Sequence, residues 1–261
     1  MPAVQPLDNI PVLVFFALFA LVTLACYEGG FRLGRWVQDR TADIVEEGPN
    51  GVLVGSIVAL MAFLLAITTG MASDRFDARR LTVIEEANAI QTAYLRAGYI
   101  AEPGSSEARA LLEAYVPLRI VSSDPVALGA AIVKSEELQR QLWAVAENAA
   151  RLDSSDVTAL FVESVNDVIT VHEQRVTAGV YARVPPTILW VLILGSALSL
   201  GMVGYSAGIT KRRSPVTAIA LVIALGAVLT LTVDLDRPRD GFIQVSQQPL
   251  IDLQRQIQGA P

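Results

Sequence analysis

Reactive side chains are scarce in this chain. Cys26 is the only cysteine, which excludes an intrachain disulfide and a thiolate metal site. His172 is the only histidine. Glu173 lies beside it, but no second histidine or cysteine stands at metal-ligand spacing, so a solvated helix residue is expected. Neither a Gly-x-Ser-x-Gly elbow nor a phosphate-binding glycine loop occurs. No catalytic residue, cofactor site or metal site is expected, and the protein reads as a non-enzyme. Basic side chains are outnumbered, 20 against 26 acidic ones. That balance, strongest in residues 74–183, argues against nucleic acid as a partner, which needs clustered Lys and Arg to displace counterions.

Charge is missing altogether from four long stretches. These are Asn9–Tyr27, Gly51–Ser73, Val184–Thr210 and the stretch from Ser214 to Val233, once Lys211-Arg212-Arg213 is set aside. A hydrocarbon core about 30 Å thick needs about 20 helical residues, and each stretch supplies roughly that. With 52% hydrophobic and 18% charged residues, the chain is too apolar for an ordinary soluble domain. The remaining charge is concentrated, since residues 74–183 hold 16 acidic and 11 basic side chains. The expected architecture is an all-α integral membrane protein with four transmembrane helices. A water-facing helical bundle is inserted between spans two and three. By residue, 1–73 carry spans one and two, 74–183 the bundle, 184–233 spans three and four, and 234–261 a C-terminal tail. A lipid bilayer is the first partner this implies.

Helical punctuation sets the elements. Thr23-Leu24-Ala25-Cys26 faintly suggests a lipoprotein cleavage site, but no basic residue precedes the apolar run, so the segment is kept as span one. Gly48-Pro49-Asn50-Gly51 reads as a turn that launches span two. From Val52 to about Ala97 there is neither a proline nor a glycine pair, and Phe76, Val83, Ala87, Ile90 and Tyr94 recur at helical steps. One long continuous second helix is expected, leaving the membrane and entering the bundle. Next come Ser105–Val121, with Leu111, Leu112 and Tyr115 inward and Pro117 kinking or shortening it. Asp124-Pro125 caps Val126–Leu152, where Ile132, Leu138, Leu142 and Val145 face the core. Ser154 and Ser155 open a last bundle helix, Asp156–Arg183, which buries Leu160, Val165, Val168 and Val171. Pro185-Pro186 start span three, and Leu250, Ile251, Leu253 and Ile257 make the tail amphipathic.

The absence of ionisable side chains from the spans argues against a proton-coupled or ion-coupled pump. A passive pore remains open, with Thr68 and Thr69 near the end of span two, together with Ser56, as candidate lining. The alternative is that these hydroxyls bond their own helix backbone. Glu85, Asn88, Thr92 and Arg96 share one face of the long helix just beyond the membrane. That stripe is either a polar neck or an ordinary water-facing surface. Gly51-x-x-x-Gly55 and Gly204-x-x-x-Gly208 mark faces for close helix packing, within one chain or between copies. In the tail, Asp234, Asp236 and Arg237 are expected to pair with bundle charges such as Arg96 or Glu85. Near the span ends, six basic residues lie on one side and seven on the other. The six sit in short loops, which points to both termini and the bundle lying outside the cytoplasm.

The stretches Phe63–Ala66, Gly70–Arg80 and Glu85–Arg96 together resemble the bestrophin-like domain family, a group of mostly bacterial membrane proteins. Asp234, Asp236, Arg237 and Gly241, followed by Val245–Leu250, look like its closing motif. Two positions depart from the family pattern: Gln91 stands where glycine is expected, and Asp240 where a basic residue is usual. The resemblance implies a bacterial cytoplasmic membrane and likeness to bestrophins, pentameric anion channels with four spans per subunit. Under it, the second helices self-associate around a pore that passes ions. It also implies termini and bundle in the cytoplasm, opposite to the arginine count. A homo-oligomeric passive ion channel is one expected function. The other is a membrane-anchored sensor or interaction module acting through the bundle.

Overall fold

The computed structural model describes residues 10–40, 48–120, 124–237 and 241–259. Asp240 lies outside the described residues, as does the charged stretch 41–47. The helices are α1 (Val12–Arg40), α2 (Gly48–Arg96), α3 (Gly104–Arg119), α4 (Pro125–Leu152), α5 (Asp156–Val176), α6 (Pro186–Ile209), α7 (Pro215–Asp236) and α8 (Gln248–Gln258). No strand occurs among the described residues. The chain divides into two compact units, residues 1–75 with 183–243 and residues 76–182 with 244–261. The stretch from residue 234 onward, expected as one tail, is thus shared between them.

The first unit contains α1, the first part of α2, α6 and α7. All four helices are long and apolar enough to cross a membrane. Leu13, Leu21, Leu194, Leu198 and Val216 are each more than 60% exposed. Water would penalise such a surface heavily, and hydrocarbon does not. The protein is an integral membrane protein. Several span hydroxyls turn back onto their own helices, which satisfies them in lipid, whereas Ser196 Oγ and Thr230 Oγ1 are buried without a partner. Thr23 donates to the Phe19 carbonyl, Ser56 to Val52 and Ser199 to Gly195.

Helix α1 extends about three turns past its apolar run, and the reason lies in α6. Ideal Cβ atoms on Gly30 and Gly34 would fall 2.0 Å from the Gly201 carbonyl oxygen and 2.2 Å from that of Tyr205. Reciprocally, Cβ atoms on Gly204 and Gly208 would fall 2.0 Å from the Tyr27 oxygen and 2.3 Å from the Phe31 oxygen. Backbone therefore lies on backbone, and only glycine permits it. Gly204-x-x-x-Gly208 packs within one chain. Gly51 and Gly55, by contrast, meet nothing within 4 Å. The expected turn at Gly48 is instead the first turn of α2, where the missing N–H of Pro49 costs nothing.

The second unit packs α3, α4, α5 and α8 with the remainder of α2. Asp124 caps α4 by accepting from the Val126 N–H at 3.0 Å, and the side chain of Ser155 caps α5. Pro117 sits in the last turn of α3, which stops at Arg119. Ile90, Leu112, Phe161, Val165 and Leu250 are wholly buried. Leu160 is 41% exposed, because the core phase of α5 runs through its neighbour Phe161. Helix α5 ends at Val176 and is followed by a π turn, Thr177–Tyr181, so it stops short of Arg183. Ile132 and Leu111 are only half-buried, whereas Leu138, Leu142 and Val145 are buried as expected. In α8, Leu250, Leu253 and Ile257 form the inward face.

Candidate functional site

Three constellations carry the polar chemistry of the molecule. The first is the surface of α2. Glu85, Asn88 and Thr92 are exposed, and steps of three and four residues keep them on one helix face. Arg96, half-buried at the edge of that face, donates to the Leu160 carbonyl at 2.8 Å and lies 3.8 Å from Glu163. Gln91, the departure from glycine, is also exposed and donates to Gln256 of α8 at 3.2 Å. In the first unit, Thr68 is buried and donates to the Leu64 carbonyl. Thr69 donates to Leu65, and its hydroxyl lies 2.7 Å from that of Thr232 on α7. Both threonine hydroxyls are thus engaged inside one subunit.

The second constellation is the tail motif at the end of α7. Asp234 accepts from the backbone N–H groups of Phe242 at 2.8 Å and Ile243 at 3.0 Å. Gly241 fits because a Cβ there would lie 2.8 Å from the Asp234 carboxylate. Asp236 accepts from the Val184 N–H at 2.7 Å and from the Arg183 guanidinium at 3.1 Å. Arg237 donates to the Ile10 carbonyl at 2.6 Å. All three charged residues are buried. The expected partners Arg96 and Glu85 are not the ones found: the motif ties the end of α7 to the lead-ins of α6 and α1. A buried carboxylate is stabilised by nearby N–H donors, and these backbone groups supply them.

The third constellation sits in the bundle core, and sequence reasoning missed it. Glu86 is completely buried, with one carboxylate oxygen accepting from Arg119 at 2.6 Å and the other from Arg175. Arg175 also donates to Gln247 at 2.7 Å. Beside them the hydroxyl of Tyr115 accepts from Gln139 at 2.9 Å and lies 3.1 Å from Nδ1 of His172. His172, expected to be solvated, is 1% exposed. A signal was present: Glu86 falls between Val83 and Ile90 on the apolar phase of α2, not on the polar stripe of Glu85.

Electrostatics follow from burial. Desolvation pushes the Tyr115 hydroxyl up and the Arg175 guanidinium down from their ordinary values, with Glu86 opposing the latter shift. Burial, reinforced by the Arg119 charge, lowers His172 from 6.5 to about 4, although Glu86 pulls the other way. The unfolded chain therefore binds more protons between those values. The group's contribution to stability is complete above pH 6.5 and is lost as pH falls towards 4. The loss is expected to reach up to about 3 kcal/mol. Thermal unfolding of the detergent-solubilised protein across this window should show it, and His172→Gln should flatten the profile. An unchanged profile in that variant would assign the pH dependence elsewhere.

Comparison with known proteins agrees with this geometry. Among curated proteins the sequence has no match. Solved structures do match. A crystal structure of a bacterial Bestrophin homolog from Klebsiella pneumoniae superposes with a TM-score of 0.69 at 11% identity, covering 94% of this chain and 97% of that one. A mutant of a bacterial Bestrophin homolog from the same organism gives a TM-score of 0.70 at 12% identity over the same shares. A second mutant gives 0.67 at 13% identity, covering 95% of this chain and 97% of that one. These likenesses establish the fold. The Bestrophin-like domain itself matches across residues 12–250, and it is on this near-complete match that the chain belongs to the Bestrophin-like family.

Proposed function

We propose that this protein is a homo-oligomeric passive ion channel in a bacterial cytoplasmic membrane, lined by copies of α2. The observation that carries the reading is the exposed face of that helix. Along it lie Ser56, Ala59, Phe63 and Gly70, and further on Asp74, Asp77, Glu85, Asn88 and Thr92, all exposed in the single chain. Small and apolar residues suit a narrow pore wall, and carboxylates suit its mouth. Two basic residues border this face: Arg80 stands three residues after Asp77, and Arg96 is already engaged by the Leu160 carbonyl and Glu163, so exposed carboxylates predominate along it. Rings of Asp74, Asp77 and Glu85 would concentrate cations and repel anions, so the ions passed are cations.

The experiment is a planar bilayer recording with the purified full chain under a potassium chloride gradient. A reversal potential of the sign set by potassium is expected, and Asp77→Asn should move it towards zero. Absence of current, or a monomeric mass in mild detergent, would rule out the channel. A chloride-signed potential would rule out the assignment of the carboxylates alone.

A further inference from the structure

Around His172 the bundle core holds a hydrogen-bond chain that runs in one direction. Gln139 donates its amide N–H to the Tyr115 oxygen at 2.9 Å, so that hydroxyl must send its own proton elsewhere. Among the described residues its remaining hydrogen-bond partner is Nδ1 of His172, at 3.1 Å. Nδ1 is therefore an acceptor, and the neutral imidazole carries its proton on Nε2. The titratable and charged groups facing this ring are Glu86 from α2, Tyr115 and Arg119 from α3, and Arg175 from α5 itself. Helix α4 brings the neutral Gln139, and the lead-in to α8 brings the neutral Gln247. Glu173, although next in sequence, is exposed. One carboxylate, that of Glu86, already serves two guanidinium groups.

A proton taken up from solvent changes both features of this cluster. Nδ1 becomes a donor and meets a hydroxyl already turned towards it, while the core acquires a third cation for the same carboxylate. Cations crowded where water does not reach are relieved when one of them moves out. Arg175 has the way out. It is 8% exposed against 4% for Arg119, and it stands three residues from His172 on the same face of α5. One of its nitrogens already donates to the half-buried Gln247 at 2.7 Å. Gln247 immediately precedes α8, whose eleven residues are otherwise held by Leu250, Leu253 and Ile257 and by the exposed Gln91–Gln256 bond. A short helix attached by so few side chains belongs to the low-stability end of a bundle, where local opening begins.

We propose that His172 operates an acid-sensitive latch: protonation of its imidazole draws Arg175 away from Gln247 and releases α8 from the bundle. The latch lies within the second unit and does not depend on the channel reading. A proton shifts an equilibrium only by binding one state more tightly, so His172 must be the better base when α8 is open. Burial and the Arg119 charge hold it at about 4 in the closed bundle, against 6.5 in water. Opening is therefore least above pH 6.5 and increases as pH falls from there towards 4.

Hydrogen–deuterium exchange of the detergent-solubilised full chain tests this, read by mass spectrometry at about pH 7.5 and about pH 5 and corrected for the intrinsic rate. Peptides from α8 are expected to exchange about thirtyfold faster at the lower pH, while those from α3 keep their protection. His172→Asn should remove the difference, because its carbonyl accepts the Tyr115 proton but does not titrate. Gln247→Ala, a change at a half-buried position, should leave α8 exchanging rapidly at both pH values. Equal α8 exchange in the natural protein at the two pH values would overturn the proposal. So would loss of protection in all bundle helices together, which is global unfolding and not release of one element. An acid response of full size in either variant would overturn it as well, by assigning the proton to another group or the release to another contact. Should His172→Asn fail to fold, Gln247→Ala decides by the same criterion.

Discussion

Gly204→Val is expected to give no folded protein. The first added carbon would lie 2.0 Å from the Tyr27 carbonyl oxygen and 2.8 Å from its carbon, and neither atom can rotate away. Relief requires α1 and α6 to separate, which breaks the neighbouring approaches at Gly30, Gly34 and Gly208 as well. Overpacking by a flexible neighbour typically costs about 1–3 kcal/mol, and a backbone clash shared along a whole crossing exceeds that range. Gly201→Ala is the control, because a Cβ there meets its nearest atom, the Cys26 carbonyl oxygen, at an ordinary 3.6 Å. Detergent-extracted yield and a monodisperse elution peak are the readouts. If Gly204→Val matched Gly201→Ala in both, the close crossing of α1 and α6 would not exist as described.

Glu86→Ala should destabilise the bundle by about 3–5 kcal/mol, since it leaves two buried guanidinium groups without their shared carboxylate. Arg119 and Arg175 are 4% and 8% exposed, so water cannot replace the lost partner. Glu85→Ala, one residue away on the exposed face, should stay within about 0.5 kcal/mol of the natural protein. Thermal unfolding of the full chain compares the two directly. Replacing Glu86, Arg119 and Arg175 together with apolar residues of similar volume should recover much of the loss, because the cost lies in the unpaired charge. Equal effects at positions 85 and 86 would mean that the core cluster contributes nothing.

Adjacent residues with opposite fates show where sequence reading stops. Glu85 and Glu86 are chemically identical, yet one faces outward and the other binds two arginines from α3 and α5. The period through Val83, Ala87 and Ile90 was sufficient to build α2, and read one step more strictly it would have flagged Glu86. Its partners were beyond reach, lying 33 and 89 residues further along the chain. His172 was misjudged for the same reason. Its neighbours include Tyr115, 57 residues away, and Arg119, and neither is adjacent in the sequence. The tail motif is legible as a motif, but apart from the Arg183 guanidinium its described partners are backbone groups of Val184, Phe242, Ile243 and Ile10. Backbone groups leave no trace in residue identity.

Apolar length and helical period are properties of consecutive residues. For that reason the four spans, the unbroken second helix, the caps at Asp124 and Ser155 and the inward face of α8 could all be read along the chain. Contacts between distant segments obey no such local rule. Gly51-x-x-x-Gly55 and Gly204-x-x-x-Gly208 have the same spelling, but only the second meets another backbone. Which glycine is crowded, which glutamate is paired and whether the histidine is buried were decided when the helices packed, because close approach and desolvation exist only between elements already brought together.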